Sequence, residues 1–352
     1  MEYPIVSIMI ATYNSEKILT RTLESIIAQD YPKNCIDIMI VDGGSTDKTV
    51  DTARNYGCRV LNNPKTEPVN AKLIGANNAR GKFLITLDHD EVFENPHSIS
   101  LKVDAAQQHP ECKVVLGSGY IRPKDYPRLN EYISEFGDPF SLFVYEFPKG
   151  TGYFERVLKK RYKIIEENEN YMMVSFERAK NLGIIELCCL GTMIDLDYFR
   201  SIPDAFSNPS VMVHLFYEML KEGHNRVIVT KSDGLVHYSA DSIKAYFPKL
   251  KWRVCNNIHF QKMATSGFSG REEYQSSVKI KKYLFVPYTF LVVPCLIHAL
   301  YYTFTRRNIA YMLHPFFCWY VMLQIIFQYT RKVLGLKPHF TSYDGKATID
   351  EN

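Results

Sequence analysis

The chain has 352 residues, of which 46% are hydrophobic and 23% charged, with a net charge of +4. That length and composition allow a sizeable buried core and exclude a disordered chain, and the charge is too small for a nucleic-acid binder. The eight cysteines, at 35, 58, 112, 188, 189, 255, 295 and 318, form no C-x-x-C pair, which argues against a zinc ribbon and reads as scattered, reduced, cytosol-facing thiols.

The opening MEYPIVSIMIATYN has no basic region before its short apolar run and reads as a first strand rather than a signal peptide. VSIMIA is apolar throughout and β-branched in part, as a buried parallel strand requires. The next segment, SEKILTRTLESIIAQDYP, places Ile18, Leu19, Leu23, Ile26 and Ile27 at helical spacing, with Ser15 as N-cap and Pro32 as stop. IDIMIVD is a second strand, STDKTVDTARNYG a helix closed by Gly57, CRVLNN a third strand, EPVNAKLIGANNARG a third helix and FLITLDHD a fourth strand. Such alternation predicts an α/β fold with a mostly parallel central sheet, whose ligands bind at the carboxyl ends of the strands.

Three polar motifs fall at those ends: ATYNSE after strand one, VDGGSTD after strand two and DHDEV after strand four. They are therefore expected to converge. Asp88 and Asp90, one residue apart at the end of an apolar strand, share a face, and their charges repel. Residues 121–210 are less regular, and ERVLKKRYKIIEENEN within them reads as a solvated helix. VMVHLFYEMLKEG then gives a helix and HNRVIVTKSDGLVHY a strand.

The end of the chain changes character. Residues 283–305 and 308–330 carry no charge apart from the intervening Arg306 and Arg307. Each run reaches the ~20 residues needed to cross a bilayer. Lys279, Lys281 and Lys282 precede them, Arg331 and Lys332 follow, and Tyr and Trp are frequent, so membrane association is expected, spanning or interfacial. Pro287, Pro294 and Pro315 are expected to kink these segments.

Together, VSIMIATYNSEKILTRTLESIIAQDYP, IMIVDGGSTDKTVDTA and ARGKFLITLDHDEVF resemble family two of the glycosyltransferases, over roughly the first 120 residues. The resemblance implies a GT-A fold followed by C-terminal hydrophobic helices, and a nucleotide-diphosphate sugar donor, UDP-sugar favoured. It also implies inversion at the anomeric carbon and a divalent cation, Mn2+ or Mg2+, on the diphosphate. Hard cations bind carboxylate oxygens, and a cation would offset the repulsion between the two acids. By the family's D-x-D pattern Asp90 is the metal ligand and Asp88 its partner beside metal or ribose. Thr12, Tyr13, Asn14 and Glu16 match the loop that packs on the nucleotide, and Asp42 the acid that accepts from the base. Lys72 stands where the family often has a basic residue facing phosphate, a solvated helix lysine being the other reading. His237 matches a histidine that completes the metal or diphosphate site, unless it is structural.

One position departs from the pattern. Where relatives carry the acid that deprotonates an acceptor hydroxyl, this chain has Val211 and Met212. His214 and Glu218 are the nearest titratable groups and the candidate catalytic bases; a phosphate acceptor, already an anion, requires none. The expected organisation is a nucleotide-sugar-binding half (1–120), an acceptor-binding half (121–278), membrane-associated helices (279–335) and a polar tail (336–352). The expected partners are the donor, a glycan or lipid-linked acceptor and the cell membrane, with the catalytic domain on the cytoplasmic side. A polyprenyl-phosphate glycosyltransferase and a non-catalytic relative are the alternatives. A dinucleotide-binding enzyme is excluded by the absence of G-x-G-x-x-G after strand one.

Overall fold

The computed structural model describes residues 3–179, 182–183, 189–205, 207–260, 276–339 and 341. Cys188 and most of the expected polar tail lie outside them. The seven described cysteines are all free thiols.

The first half of the chain alternates strand and helix. The elements are β1 (Val6–Thr12), α1 (Glu16–Ile27), β2 (Ile36–Asp42), α2 (Thr49–Asn55), β3 (Arg59–Asn62), α3 (Pro68–Asn78), β4 (Phe83–Asp88), β5 (Glu91–Phe93), α4 (Ser98–Gln108), β6 (Val114–Leu116) and β7 (Gly119–Ile121). Helices α5 (Leu129–Phe136) and α6 (Pro139–Tyr145) follow, then α7 (Tyr153–Arg161), β8 (Lys163–Glu167), β9 (Tyr171–Ser175), β10 (Met193–Asp195), α8 (Leu196–Ser201), α9 (Pro209–Lys221), β11 (Arg226–Thr230) and β12 (Gly234–His237). The chain ends with α10 (Ile243–His259), α11 (Ser276–Lys281), α12 (Phe285–Phe290), α13 (Val293–Arg306) and α14 (His314–Val333).

Two compact units form. The first draws on 1–121, 151–180 and 185–237, the second on 122–150, 181–184 and 238–352. The expected boundary at 120 falls beside the first crossing between units, whereas those at 278 and 335 fall inside the second unit.

In the first unit a nine-stranded sheet runs β3-β2-β1-β4-β10-β6-β11-β9-β8. β1 lies between β2 and β4, parallel to both, and is buried along its whole length, as its apolar sequence requires. Beyond β4 the sheet takes in reversed strands: β10 enters antiparallel to both β4 and β6, and β9 antiparallel to β11. A second sheet, β5-β12-β7, stands beside it. α1 buries Leu19, Leu23 and Ile26 on the sheet, while Ile27 is 44% exposed. Ser15 occupies the cap position, but its hydroxyl bonds back to the Tyr13 carbonyl instead of capping. The charged segment expected as one solvated helix divides into α7 and the edge strand β8, which pairs only with β9 and leaves most of its side chains in water.

The second unit is helical. Its interior contains polar pairs: Glu135 takes two bonds from Arg306, at 2.7 and 2.9 Å, and buried His314 stands between the hydroxyls of Tyr132 and Tyr288, each at 2.8 Å. The segment Ile309–Val333 is one continuous helical stretch long and apolar enough to cross a membrane. The earlier apolar run is not one rod. Val278–Phe290 and Val293–Arg306 meet at 94°. Of the three prolines expected to kink the tail, Pro294 stands in the first turn of α13 just after the break, whereas Pro287 and Pro315 lie where a tighter 3-10 segment passes into α12 and α14. The break falls at Val292, whose φ is +60°.

Candidate active site

Parallel register sets the ends of the first strands side by side: Thr12 lies opposite Asp42, and Ala11 opposite Asp88. The loops that follow are laced together. Both oxygens of Asp42 are spent locally: Oδ1 accepts from Thr12 (2.9 Å) and the Ser45 hydroxyl (2.6 Å), Oδ2 from the Gly44 and Ser45 amides (3.0 and 2.8 Å). Gly44, at φ +87°, permits that turn. Asn14 reaches across, its amide donating to Ser45 and its side-chain oxygen accepting from the Thr46 amide. Glu16 accepts from the Lys48 amide at 3.1 Å. Thr12, Tyr13, Asn14, Glu16 and Asp42 are thus gathered at the carboxyl ends of β1 and β2, where Asp42 organises its own loop.

Lys72 comes from α3. That helix approaches β1 so closely at Gly75 that a Cβ there would stand 2.8 Å from Met9 Cβ. One turn earlier, Lys72 is only 4% exposed, and its ammonium lies 3.1 Å from Asp88 Oδ1. The structure therefore presents Lys72 as the ion-pair partner of Asp88, not as a solvated helix residue. Asp90 does not continue the strand face of Asp88, because β4 ends at Asp88 and residues 89–90 form a turn into β5. Two bonds hold this turn: the Thr22 hydroxyl donates to the His89 carbonyl (2.7 Å), and the Asp88 amide donates to Glu91 Oε2 (3.0 Å). Pairing of β12 with β5 sets His237 opposite Glu91 and brings its Nε2 to 3.8 Å from Asp90 Oδ2.

Asp88, Asp90, Lys72 and His237 therefore meet in two pairs. Among the described residues no group of three His, Cys, Asp or Glu side chains lies close enough to hold a metal ion alone. Of the expected Asp88, Asp90 and His237, Asp88 is paired with Lys72 through Oδ1 and Asp90 stands beside His237.

The proposed bases behave differently from one another. Val211 and Met212 are buried, so no base stands at the position where an acid was expected. His214 lies mid-helix in α9, which packs on α3. Glu218 pairs with Lys221 at 3.0 Å, and its charge helps to raise the hydroxyl pKa of Tyr198, whose main cause is burial. Tyr198 sits in α8, directly after Asp195, which pairs with Phe83 at the start of β4. Glu218 thus lies toward the amino end of the strands, away from Asp88.

The sequence profile of glycosyl transferase family 2 matches residues 7–182, half of this chain. The chain belongs to that family. Its family 2 domain is similar over 87 residues, at 40% identity, to a Methanococcus voltae protein named dolichyl N-acetyl-alpha-D-glucosaminyl phosphate 3-beta-D-2,3-diacetamido-2,3-dideoxy-beta-D-glucuronosyltransferase. Over 91 residues it is 31% identical to the poly(ribitol-phosphate) beta-N-acetylglucosaminyltransferase TarS of Staphylococcus aureus. These matches cover 23% and 24% of this chain, and only 27% and 16% of the relatives' own lengths. A solved structure of the mannosyltransferase PcManGT from Pyrobaculum calidifontis, in complex with GDP-Man and Mn2+, superposes with a TM-score of 0.51 at 15% identity, covering 95% of this chain and 88% of that one. That likeness concerns the fold, which is GT-A.

Two further groups that the sequence did not single out adjoin these residues. Glu91 is buried, and burial first, then the adjacent Asp88 charge, holds its carboxyl well above the usual range. Tyr120 donates to Glu91 Oε1 at 2.6 Å, and its ring stacks on that of His237 at 4.4 Å. Glu91 was visible as the third acid of DHDEV; Tyr120 gave no local signal.

Proposed function

We propose that this family 2 domain transfers a sugar from a nucleotide-diphosphate donor, UDP-sugar favoured, to a glycan or lipid-linked acceptor, with inversion and with a divalent cation on the diphosphate. The observation that carries this reading is the meeting of Asp90 with His237, and of Asp88 with Lys72, at the carboxyl ends of the strands beside the braced Asn14–Ser45 loops. The donor set suits a cation. Asp90 offers a hard carboxylate oxygen and His237 an imidazole nitrogen, a combination compatible with Mn2+, and a diphosphate supplies further oxygens. A bound cation would neutralise the departing diphosphate. Lys72, held at Asp88, adds a fixed positive charge next to it. Thr12, Tyr13, Asn14, Glu16 and Asp42 shape the nucleotide side.

For the acceptor, a specific observation favours a phosphate. The position expected to hold the base is apolar and buried, and of the two nearby candidates Glu218 lies toward the opposite strand ends, which leaves His214 alone. A polyprenyl phosphate arrives ionised and needs no base. The apolar helices of the second unit fit action at the cytoplasmic membrane face, and the name of the Methanococcus relative describes transfer to a lipid-linked sugar, in keeping with a lipid-linked acceptor though not with a bare phosphate. The proposed division of labour follows the expected boundaries: donor binding in 1–120, acceptor binding in 121–278 and membrane association in 279–335.

The test is incubation of the purified full chain with a panel of UDP-, GDP- and dTDP-sugars and Mn2+. Hydrolysis or transfer from one donor is expected, and none from any overturns the reading. Asp90→Asn should abolish the Mn2+-dependent part of UDP binding in calorimetry without unfolding the domain. Unchanged affinity would remove Asp90 from the site.

A further inference from the structure

Resting on the cation site just described, we propose that Glu91 and Tyr120 are positioning residues that hold the two halves of that site in register. Asp90 sits in a turn, so its carboxylate is placed only as well as the turn is. Glu91 fixes the turn by accepting the Asp88 amide on Oε2. Its other oxygen is bound by the Tyr120 hydroxyl at 2.6 Å, and that hydroxyl in turn accepts the Leu190 amide at 3.4 Å.

The phenol ring performs a second task. It lies 4.4 Å from the His237 imidazole with the two planes 28° apart. Strand register explains how one residue meets both partners. β12 pairs antiparallel with β5, placing His237 opposite Glu91, and parallel with β7, placing Leu235 opposite Tyr120. Residues 235 and 237 share a face, so Tyr120 meets His237 flat and Glu91 end-on. One buried side chain therefore touches the acid-bearing turn through its hydroxyl and the imidazole through its ring.

A group that orients a metal ligand typically changes metal affinity ~10–100-fold when removed, without touching the metal. The test measures Mn2+ affinity of the full chain with UDP present, by calorimetry and by electron paramagnetic resonance. Tyr120→Leu, which loses hydroxyl and ring, should weaken Mn2+ binding ~10–100-fold while leaving metal-free UDP binding unchanged. Tyr120→Phe keeps the ring and should lose less than Tyr120→Leu. Wild-type Mn2+ affinity in folded Tyr120→Leu overturns the proposal.

A second measurement needs neither metal nor a tolerant core. In metal-free wild type, the His237 Cε1 proton, assigned by its loss in His237→Gln, should resonate upfield through the Tyr120 ring current. An unshifted resonance overturns the brace even if Tyr120→Leu does not fold. A wild type that shows the ring-current shift but binds no Mn2+ with UDP overturns the cation reading and leaves the brace standing.

Discussion

Glu67 shows what burial does to a single side chain in this domain. It caps α3, with Oε2 accepting the Asn70 amide at 2.7 Å, while Oε1 is buried with no hydrogen-bond partner among the described residues. Burial pushes its carboxyl from 4.5 up to about 7, against the opposing influence of backbone bonds and Lys72. The folded chain thus holds this proton more tightly than the unfolded chain. The associated stability is complete below about 4.5 and is lost as pH rises through about 7. Glu67→Gln keeps the cap oxygen and removes the titration. Its stability relative to wild type should rise by roughly 2–3 kcal/mol between pH 4.5 and pH 8, read from denaturant midpoints. A difference that stays constant across that range would show that Glu67 ionises freely. Residues of this kind are hidden in a sequence, because a cap glutamate looks the same exposed or buried. Asp88 and Asp90 were legible because paired acids after FLITL are a local pattern with one strong chemical reason. Tyr120 was not, since only the β5-β12-β7 pairing joins it to Glu91 and His237.

Elements were legible where periodicity and burial agree. β1, β2 and β4 are apolar because neighbours cover them, and each stands where its run predicted. β8 was not legible, because an edge strand with exposed, charged side chains carries the composition of a solvated helix. β5, β6, β7 and β10 have three residues each, too few for any period to register. α9 was found as a helix, and it carries both candidate bases, His214 and Glu218. Glu218 is half-exposed and paired with Lys221, a bridge of a kind that contributes under ~1 kcal/mol. Glu218→Gln should therefore fold normally and keep transfer activity within about threefold, because nothing places it near Asp88. A base in reach contributes about two to four orders of magnitude in rate, so a loss of that size would restore Glu218 as the base. His214→Ala decides the acceptor class. Activity on a polyprenyl-phosphate acceptor should survive this change, whereas a base serving a hydroxyl acceptor would be missed by a hundredfold or more. A hundredfold loss on the phosphate acceptor itself would contradict the pre-ionised reading.

For the molecule as a whole, the open question is what its exposed apolar surface meets. The C-terminal helices do have an interior of their own: Phe285, Cys295, Phe317, Cys318, Val321 and Met322 are buried, and α14 packs along α10 and α6. Removing everything after residue 278 would therefore uncover that core, and a change in solubility would not isolate the membrane. Phe290, Val293 and Phe304, by contrast, are 68%, 62% and 76% exposed, and Lys279 and Lys282 lie in the same stretch of chain. Apolar side chains in water next to lysines fit a surface that enters the acyl boundary while cations meet anionic head groups. Each large apolar side chain moved out of water contributes ~1.5–3 kcal/mol, so three together account for several orders of magnitude in partitioning. The triple substitution Phe290→Gln, Val293→Gln and Phe304→Gln should leave the melting temperature near wild type, since none is buried, and lower vesicle binding at least a hundredfold. Flotation with anionic vesicles reads the loss. Neutral vesicles and raised salt should weaken wild-type binding only in part, because screening acts on the lysines and not on the apolar contacts. Wild-type chain that stays with the soluble fraction at every lipid composition would sink the membrane assignment, and the apolar surface would then need a protein partner.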